Sequence, residues 1–173
     1  MELRTERLVL RRWREGDREP FARMNADPQV MRFFPAPLSR VESDAFVDRI
    51  ERQFDERGYG LWALEIPGAA TFIGYVGLEL HPYFAVPEIG WRLDRPYWGK
   101  GYATEAARAA VADGFDRIGL DEIISFTTPL NIPSIRVMER LGMTHDPADD
   151  FDHPNVPAGH AFRRHVLYRL RKP

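Results

Sequence analysis

The chain of 173 residues contains no cysteine, which removes at once a thiol nucleophile, a disulfide framework and thiolate metal ligands. No apolar run approaches the roughly 20 residues that cross a bilayer, and the opening Met1-Glu2-Leu3-Arg4-Thr5-Glu6 lacks the apolar core of a secretory leader. These absences predict a cytoplasmic protein with no membrane partner. A strong charge of either sign is missing too: the net charge is -2, so the balance draws the chain neither to nucleic acid nor to another polyanion. Repeats, low-complexity tracts and composition shifts are absent, and 44% hydrophobic residues suffice for one sizeable core. A single domain over residues 1–173 is expected.

Within this even background one stretch is organised differently, Tyr97-Trp98-Gly99-Lys100-Gly101-Tyr102-Ala103-Thr104-Glu105-Ala106, where two glycines one residue apart lead into a helix-forming run. Glycine admits backbone conformations closed to other residues and lets amides approach a ligand closely. A chain that turns this way and then starts a helix aims several unsatisfied N–H groups at one point, where the macrodipole adds partial positive charge. Lys100 reinforces it, so a phosphate or pyrophosphate is the fitting guest. A nucleotide-hydrolysing phosphate loop is excluded, because Asp94 holds the place of its first glycine and no serine or threonine follows Lys100. A dinucleotide fingerprint fits poorly, since Thr104 holds its third glycine position and Arg95-Pro96-Tyr97-Trp98 separate loop from strand. A turn that merely caps a helix is the plain alternative.

Taken in order, Leu8 to Trp13 reads as a first strand, followed by a short helical stretch through Phe21 and Met24. Pro28, Pro35 and Pro37 then bracket Phe33-Phe34, either core plugs or the lining of an acceptor pocket. Ser39 and Glu42 form a capping box for a helix with Val41, Ala45, Phe46, Ile50 and Phe54 on one face, stopped at Gly58 to Gly60. Leu61–Ile66 and Phe72–Leu80 read as a hairpin about Pro67-Gly68, and Glu88–Leu93 as a third member of the meander. Gly90 suggests a bulge or a close backbone approach. Apolar residues from Ala103 to Ile118 recur at helical spacing before Gly119, and Glu122–Thr128 is the next strand, which implies a parallel crossover. Asn131 caps a shorter helix, Asp146 to Gly159 reads as an exposed loop, and His165–Leu170 is a last strand.

Three segments together, Glu88-Ile89-Gly90-Trp91, Trp98 to Ala106, and Asn131-x-x-Ser134 running to Leu141-Gly142-Met143, resemble the GNAT superfamily. The opening Leu3 to Leu8 is similar to its branch of ribosomal-protein N-acetyltransferases. The likeness spans nearly the whole chain. It implies an α+β, three-layer fold: a mixed, mostly antiparallel sheet of about seven strands with helices on both faces, splayed where coenzyme A inserts. It further implies acetyl-CoA as co-substrate, with the pyrophosphate on the amides of Gly99, Lys100, Gly101, Tyr102, Ala103 and Thr104. The strand edge at Trp91, Arg92 and Leu93 would pair with the pantetheine amides, and Asn131 would contact the pantetheine or the thioester end. Two positions depart from the family pattern. Trp98 replaces the Gln or Arg that opens the Gln/Arg-x-x-Gly-x-Gly/Ala loop, and Met138 replaces a tyrosine acid.

For acetyl transfer to an amine, Glu88 is the candidate base, directly or through water, and a backbone N–H near Gly90-Trp91 the donor to the carbonyl oxygen. Ser134 would protonate the departing thiolate, as its counterpart does in similar family members. The bland readings are a solvated strand-end carboxylate and a helix-start serine. Without cysteine or a Gly-x-Ser-x-Gly elbow, direct transfer in a ternary complex is expected. The acceptor is a small-molecule amine or a protein N-terminus, and the protein a monomer or a homodimer. A catalytically silent acyl-CoA-binding module is the alternative. The five histidines, even beside Asp149, Asp150 and Asp152, match no zinc template, so no metal is expected. His153 and His160 are read as flanking the acceptor entrance or facing solvent, and Arg163-Arg164 as a lure for an acidic acceptor or as solvated edge charges.

Overall fold

The computed structural model describes residues 2–172; Met1 and Pro173, the ends of the expected domain, lie outside the described residues. Its nine strands are β1 (Glu2–Arg4), β2 (Val9–Arg11), β3 (Leu61–Glu65), β4 (Gly74–Glu79), β5 (Glu88–Leu93), β6 (Glu122–Thr127), β7 (Thr144–His145), β8 (Phe151–Asp152) and β9 (Arg164–Arg171). They form one mixed sheet in the order β1-β2-β3-β4-β5-β6-β9-β7, with β8 also on β9. Only β5 and β6 run parallel; the other pairings are antiparallel. The excess over about seven strands comes from β1, β7 and β8, of two or three residues each. Such strands exist by pairing with a longer neighbour, and carry no period of their own.

The four helices are α1 (Arg18–Ala26), α2 (Arg40–Arg57), α3 (Tyr102–Asp113) and α4 (Ile132–Arg140). The expected capping box starts α2: the Glu42 amide donates to the Ser39 hydroxyl at 3.3 Å and the Ser39 amide to the Glu42 carboxylate at 2.7 Å. Gly58 ends it in the left-handed region at φ 73°. Phe46, Val47, Ile50 and Phe54 bury its inner face, whereas Val41 and Ala45, expected there, are exposed. α1 and α2 cover one face of the sheet, where Phe21 and Phe46 pack on Tyr75 of β4 at 5.9 and 5.7 Å. α3 covers the other, and Gly114, in the π-helical turn Gly114–Ile118 that extends it, lies against Leu78 and Ile123. Tyr75 and Leu78 are an odd number of positions apart on one strand, so they point to opposite faces.

The sheet opens where β5 meets β6. The two pair only at Glu88 and Ile124, supported by the Ile124 amide on the Pro87 carbonyl at 3.0 Å and the Ser125 hydroxyl on the Ile89 carbonyl at 2.9 Å. Beyond Ile89 they part, leaving one edge of β5 from Gly90 to Leu93 without a strand partner. The bulge expected at Gly90 is not there, since β5 pairs with β4 residue for residue from Glu88 opposite Glu79 to Leu93 opposite Gly74. Nor does any backbone crowd it: a Cβ on Gly90 would meet nothing nearer than the Glu88 carboxyl at 3.9 Å. Close backbone approach occurs instead at Gly74 and Gly77, where a Cβ would lie 2.2 Å from the Arg92 carbonyl and 2.1 Å from the Gly60 carbonyl. The glycine at position 90 keeps space open above the strand.

Candidate active site

A cleft of about 1070 Å³ runs through the opening between β5 and β6. Glu88, Trp91, Arg92, Leu93, Trp98, Gly99, Gly101, Tyr102, Ala103, Thr104, Asn131 and Ser134 all line it. Lys100 does not: its ammonium lies 5.7 Å from the Tyr97 ring, so its charge acts on the loop from outside.

At one end the chain turns through Gly99 and Gly101, at φ 72° and 81°, directly into α3. No side chain caps that helix, whose first backbone bond is the Glu105 amide on the Gly101 carbonyl at 3.0 Å. The amides of Tyr102, Ala103 and Thr104 therefore have no partner within the helix and face a space that Gly99, with nothing within 4 Å of its missing Cβ, leaves clear. The donor set fits a diphosphate. The loop is fixed from the N-terminal strands. The Thr5 hydroxyl and the Arg7 amide donate to Glu105 Oε1 at 2.6 and 3.0 Å, and Arg7 Nη1 donates to the Lys100 carbonyl at 3.0 Å. Trp98 covers for the family's Gln or Arg in a different way, because its indole N–H donates to the Leu93 carbonyl at 2.7 Å and ties the loop to the end of β5.

Between the ends lies the open edge of β5. The Pro87 and Ile89 carbonyls face β6, so by the alternation of a strand Trp91 also directs its N–H and C=O that way, into the gap. Arg92 is turned the other way and buried. Its Nη1 donates to Asn25 Oδ1 at 2.6 Å and its guanidinium lies 4.4 Å from the Phe34 ring, so its side chain braces α1, while its buried Nε has no hydrogen-bond partner among the described residues. Opposite, Asn131 caps α4 by accepting from the Ser134 amide at 3.3 Å, and its Nδ2 donates to Thr127 Oγ1 at 3.1 Å. Ser134 keeps its hydroxyl free of hydrogen bonds to the described residues while lining the cleft. Met138, where the family has tyrosine, is fully buried in the core.

At the far end Glu88 and His81 are joined by a 2.6 Å hydrogen bond, with only 15% and 19% of their side chains exposed. Burial pushes the Glu88 carboxyl up from its ordinary value; His81 pulls it partly back, and the Glu79 carboxylate directly across the ladder adds to the rise. Burial pushes His81 down, but the bond to Glu88 outweighs this and the imidazole ends above its ordinary value. The pair thus holds its proton to higher pH than a free carboxylate would. Tyr83 stacks on His81 at 5.3 Å and is joined to His153 Nε2 at 3.2 Å. Burial drives the Tyr83 hydroxyl up to about 12 and the His153 imidazole down to about 4. Neither chain position nor spacing announced the pairing of His81 with Glu88, which follows from the register of β4 on β5, Glu79 opposite Glu88.

The loops also differ from their sequence reading. Phe33 and Phe34 are not core plugs; both line the cleft, and Phe34 is 40% exposed. The segment Asp146 to Gly159 carries a 3-10 turn (Pro147–Asp149), β8, and Val156, which is buried and lines the cleft. His153 lines it as well; His160 does not. Arg163 and Arg164 are engaged with Asp152 at 3.3 and 3.6 Å, outside the cleft. Among the described residues no three His, Asp or Glu side chains are placed to hold a metal, and no helix is long and apolar enough to cross a membrane.

Residues 7–144 match the family model for the acetyltransferase (GNAT) domain. The chain belongs to this family. It is 33% identical to an uncharacterised N-acetyltransferase, YnaD of Bacillus subtilis, over 98% of this chain and 96% of that protein. It is also 29% identical to the FsC-acetyl coenzyme A-N(2)-transacetylase of Aspergillus fumigatus, over 99% of this chain and 80% of the relative. Among solved structures, a GNAT-family acetyltransferase from Bacillus anthracis superposes with a TM-score of 0.82 at 29% identity, covering 99% of this chain and 98% of its own. For this GNAT acetyltransferase the fold expected from the motifs, a mostly antiparallel mixed sheet between helices, is the one found.

Proposed function

We propose that this GNAT protein is an acetyl-CoA-dependent N-acetyltransferase that acts on a primary amine in a ternary complex. The observation that carries the reading is the placement, on two sides of one gap in the sheet, of an uncapped glycine loop suited to a diphosphate and a buried carboxyl suited to a base. Acetyl-CoA supplies an activated acetyl thioester. The amides at Gly99 to Thr104 hold its diphosphate, and the groups left open on the edge of β5, the Trp91 carbonyl and the Leu93 amide, pair with the pantetheine arm as one strand pairs with another.

Glu88 takes a proton from the incoming ammonium, whose ordinary pKa is about 10 for an alkylamine and about 8 for a chain terminus. The raised Glu88 pKa lies nearer neutral pH than a free carboxylate's does, which makes it the better base. The freed nitrogen pair attacks the acetyl carbon, the carbon–sulfur bond breaks, and the Trp91 N–H donates to the oxygen that gains charge. Ser134 gives its proton to the departing sulfur and regains, through solvent, the second proton that the acylated nitrogen sheds, while Glu88 releases the first to solvent.

The test couples two measurements. Acetyl-CoA at a hundredfold excess over Kd should stabilise the protein by about 2.7 kcal/mol, and free thiol should appear only when an amine is added. The silent-module reading has one observation behind it, the buried Met138 in place of a tyrosine acid. Binding without thiol release across a broad amine panel would select it.

A further inference from the structure

The part of the cleft beyond Glu88 is walled by rings, and its carboxylates are already engaged. Phe33 and Phe34 come from the loop before α2, Phe162 from the loop before β9, and Phe126 from β6. Phe33 and Phe162 meet edge to face at 6.4 Å, so the two loops touch across the mouth. His153 and His165 continue the wall beside Phe126, at 5.8 and 5.9 Å, and burial pushes both below the ordinary histidine value, so that at neutral pH they are uncharged rings. Gly90, on the floor beside Glu88, leaves room for a flat body above the strand.

The carboxylates here are spoken for. Glu79 is paired with Arg49 at 3.1 Å, Glu42 accepts from its capping serine at 2.7 Å, and Glu88 is bonded to His81 at 2.6 Å. Of the cations, Arg49 is on Glu79, Arg92 donates Nη1 to Asn25 at 2.6 Å and lies 4.4 Å from the Phe34 ring with its buried Nε left without a partner among the described residues, and Arg32 lies over the Phe33 and Trp98 rings at 4.8 and 5.3 Å, towards the glycine loop. A polyamine needs further free carboxylates along its length, and Glu42, Glu79 and Glu88 leave none over. A single amine on an aromatic body needs one base, an apolar wall and ring edges, all of which are present.

Resting on the acetyltransferase reading, we infer that the acceptor is a small primary amine carried by an aromatic ring, the ring lying between Gly90 and the phenylalanines of the two loops and the nitrogen reaching Glu88. The experiment compares kcat/KM for 2-phenylethylamine, spermidine and trialanine with saturating acetyl-CoA, in the wild-type chain and in Phe162→Ala. The arylalkylamine should exceed each of the other two by at least about tenfold, and Phe162→Ala should lower its kcat/KM by about tenfold with acetyl-CoA affinity unchanged. Preference for spermidine or trialanine, or an unaltered Phe162→Ala, would overturn the aromatic acceptor while leaving the acetyltransferase intact. Acetyl-CoA binding with no amine acetylated would overturn both.

Discussion

Glu88 and His81 form a coupled pair, and coupling makes a sharp prediction. Glu88 accepts a proton only when ionised, so kcat/KM should fall as pH drops through its raised pKa. The His81 bond and charge are what hold that pKa back. His81→Gln keeps a hydrogen bond but loses the charge, so the acidic limb of the kcat/KM profile should move to higher pH. An unmoved limb would remove Glu88 from proton transfer. Ser134 makes a second prediction at this scale. Its hydroxyl serves no bond within the described chain, and the cap of α4 uses only its amide, so Ser134→Ala should leave stability nearly unchanged. Turnover should fall while the Kd for coenzyme A stays put; equal kcat values would make the serine a bystander. That Glu88 and Ser134 line one cleft was legible from the strand head and the Asn131 helix start. His81 was not, because its role depends on a pairing between two strands.

At the scale of elements, the glycine loop and α3 were readable because their causes are local: φ near +80° at Gly101, then a helix with an apolar period. Gly101→Asp tests the loop. The substituted carboxylate would cap the free amides of α3 and set a negative charge where a diphosphate belongs, so coenzyme A binding should vanish from calorimetry while the fold survives. Undiminished affinity would sink the loop assignment. Gly90 suggests a bulge or a close backbone approach, and neither is found; an isolated strand glycine can also mark a needed space, which sequence cannot separate from the other two. The register with β4 decides for space. The N-terminal strands raise a different test. Arg11, 3% exposed, is forked onto Asp17 at 2.7 and 2.9 Å and bonded to Glu65 at 2.7 Å, joining β2, the start of α1 and β3. Asp17→Ala removes two of the five hydrogen bonds of a buried guanidinium, leaving Glu65 and the Arg12 and Thr71 carbonyls, and should cost about 3 kcal/mol in urea unfolding. A loss below about 1 kcal/mol would mean that water reaches Arg11.

For the whole molecule, the parting of β5 from β6 opens one passage; on the proposed reading both substrates enter it from opposite ends, the diphosphate at α3 and the amine between the loops before α2 and β9. Such an arrangement needs no covalent relay, and the chain is poorly equipped for one. It has no cysteine. Of the hydroxyls in the middle of the cleft, Ser125 is bonded to the Ile89 carbonyl at 2.9 Å and Thr127 accepts from Asn131 at 3.1 Å. Ser134 has no base within hydrogen-bond reach among the described residues, while Glu88, the candidate base, is bonded to His81. A nucleophile without an adjacent base stays weak. Initial velocities measured over a grid of both substrates should therefore give intersecting double-reciprocal lines, as sequential addition requires. Protein quenched after mixing with labelled acetyl-CoA alone should carry no label stable to denaturation. Parallel lines together with a labelled chain would mean that a side chain carries the acetyl group, and the shared passage would then have to serve the two substrates in turn.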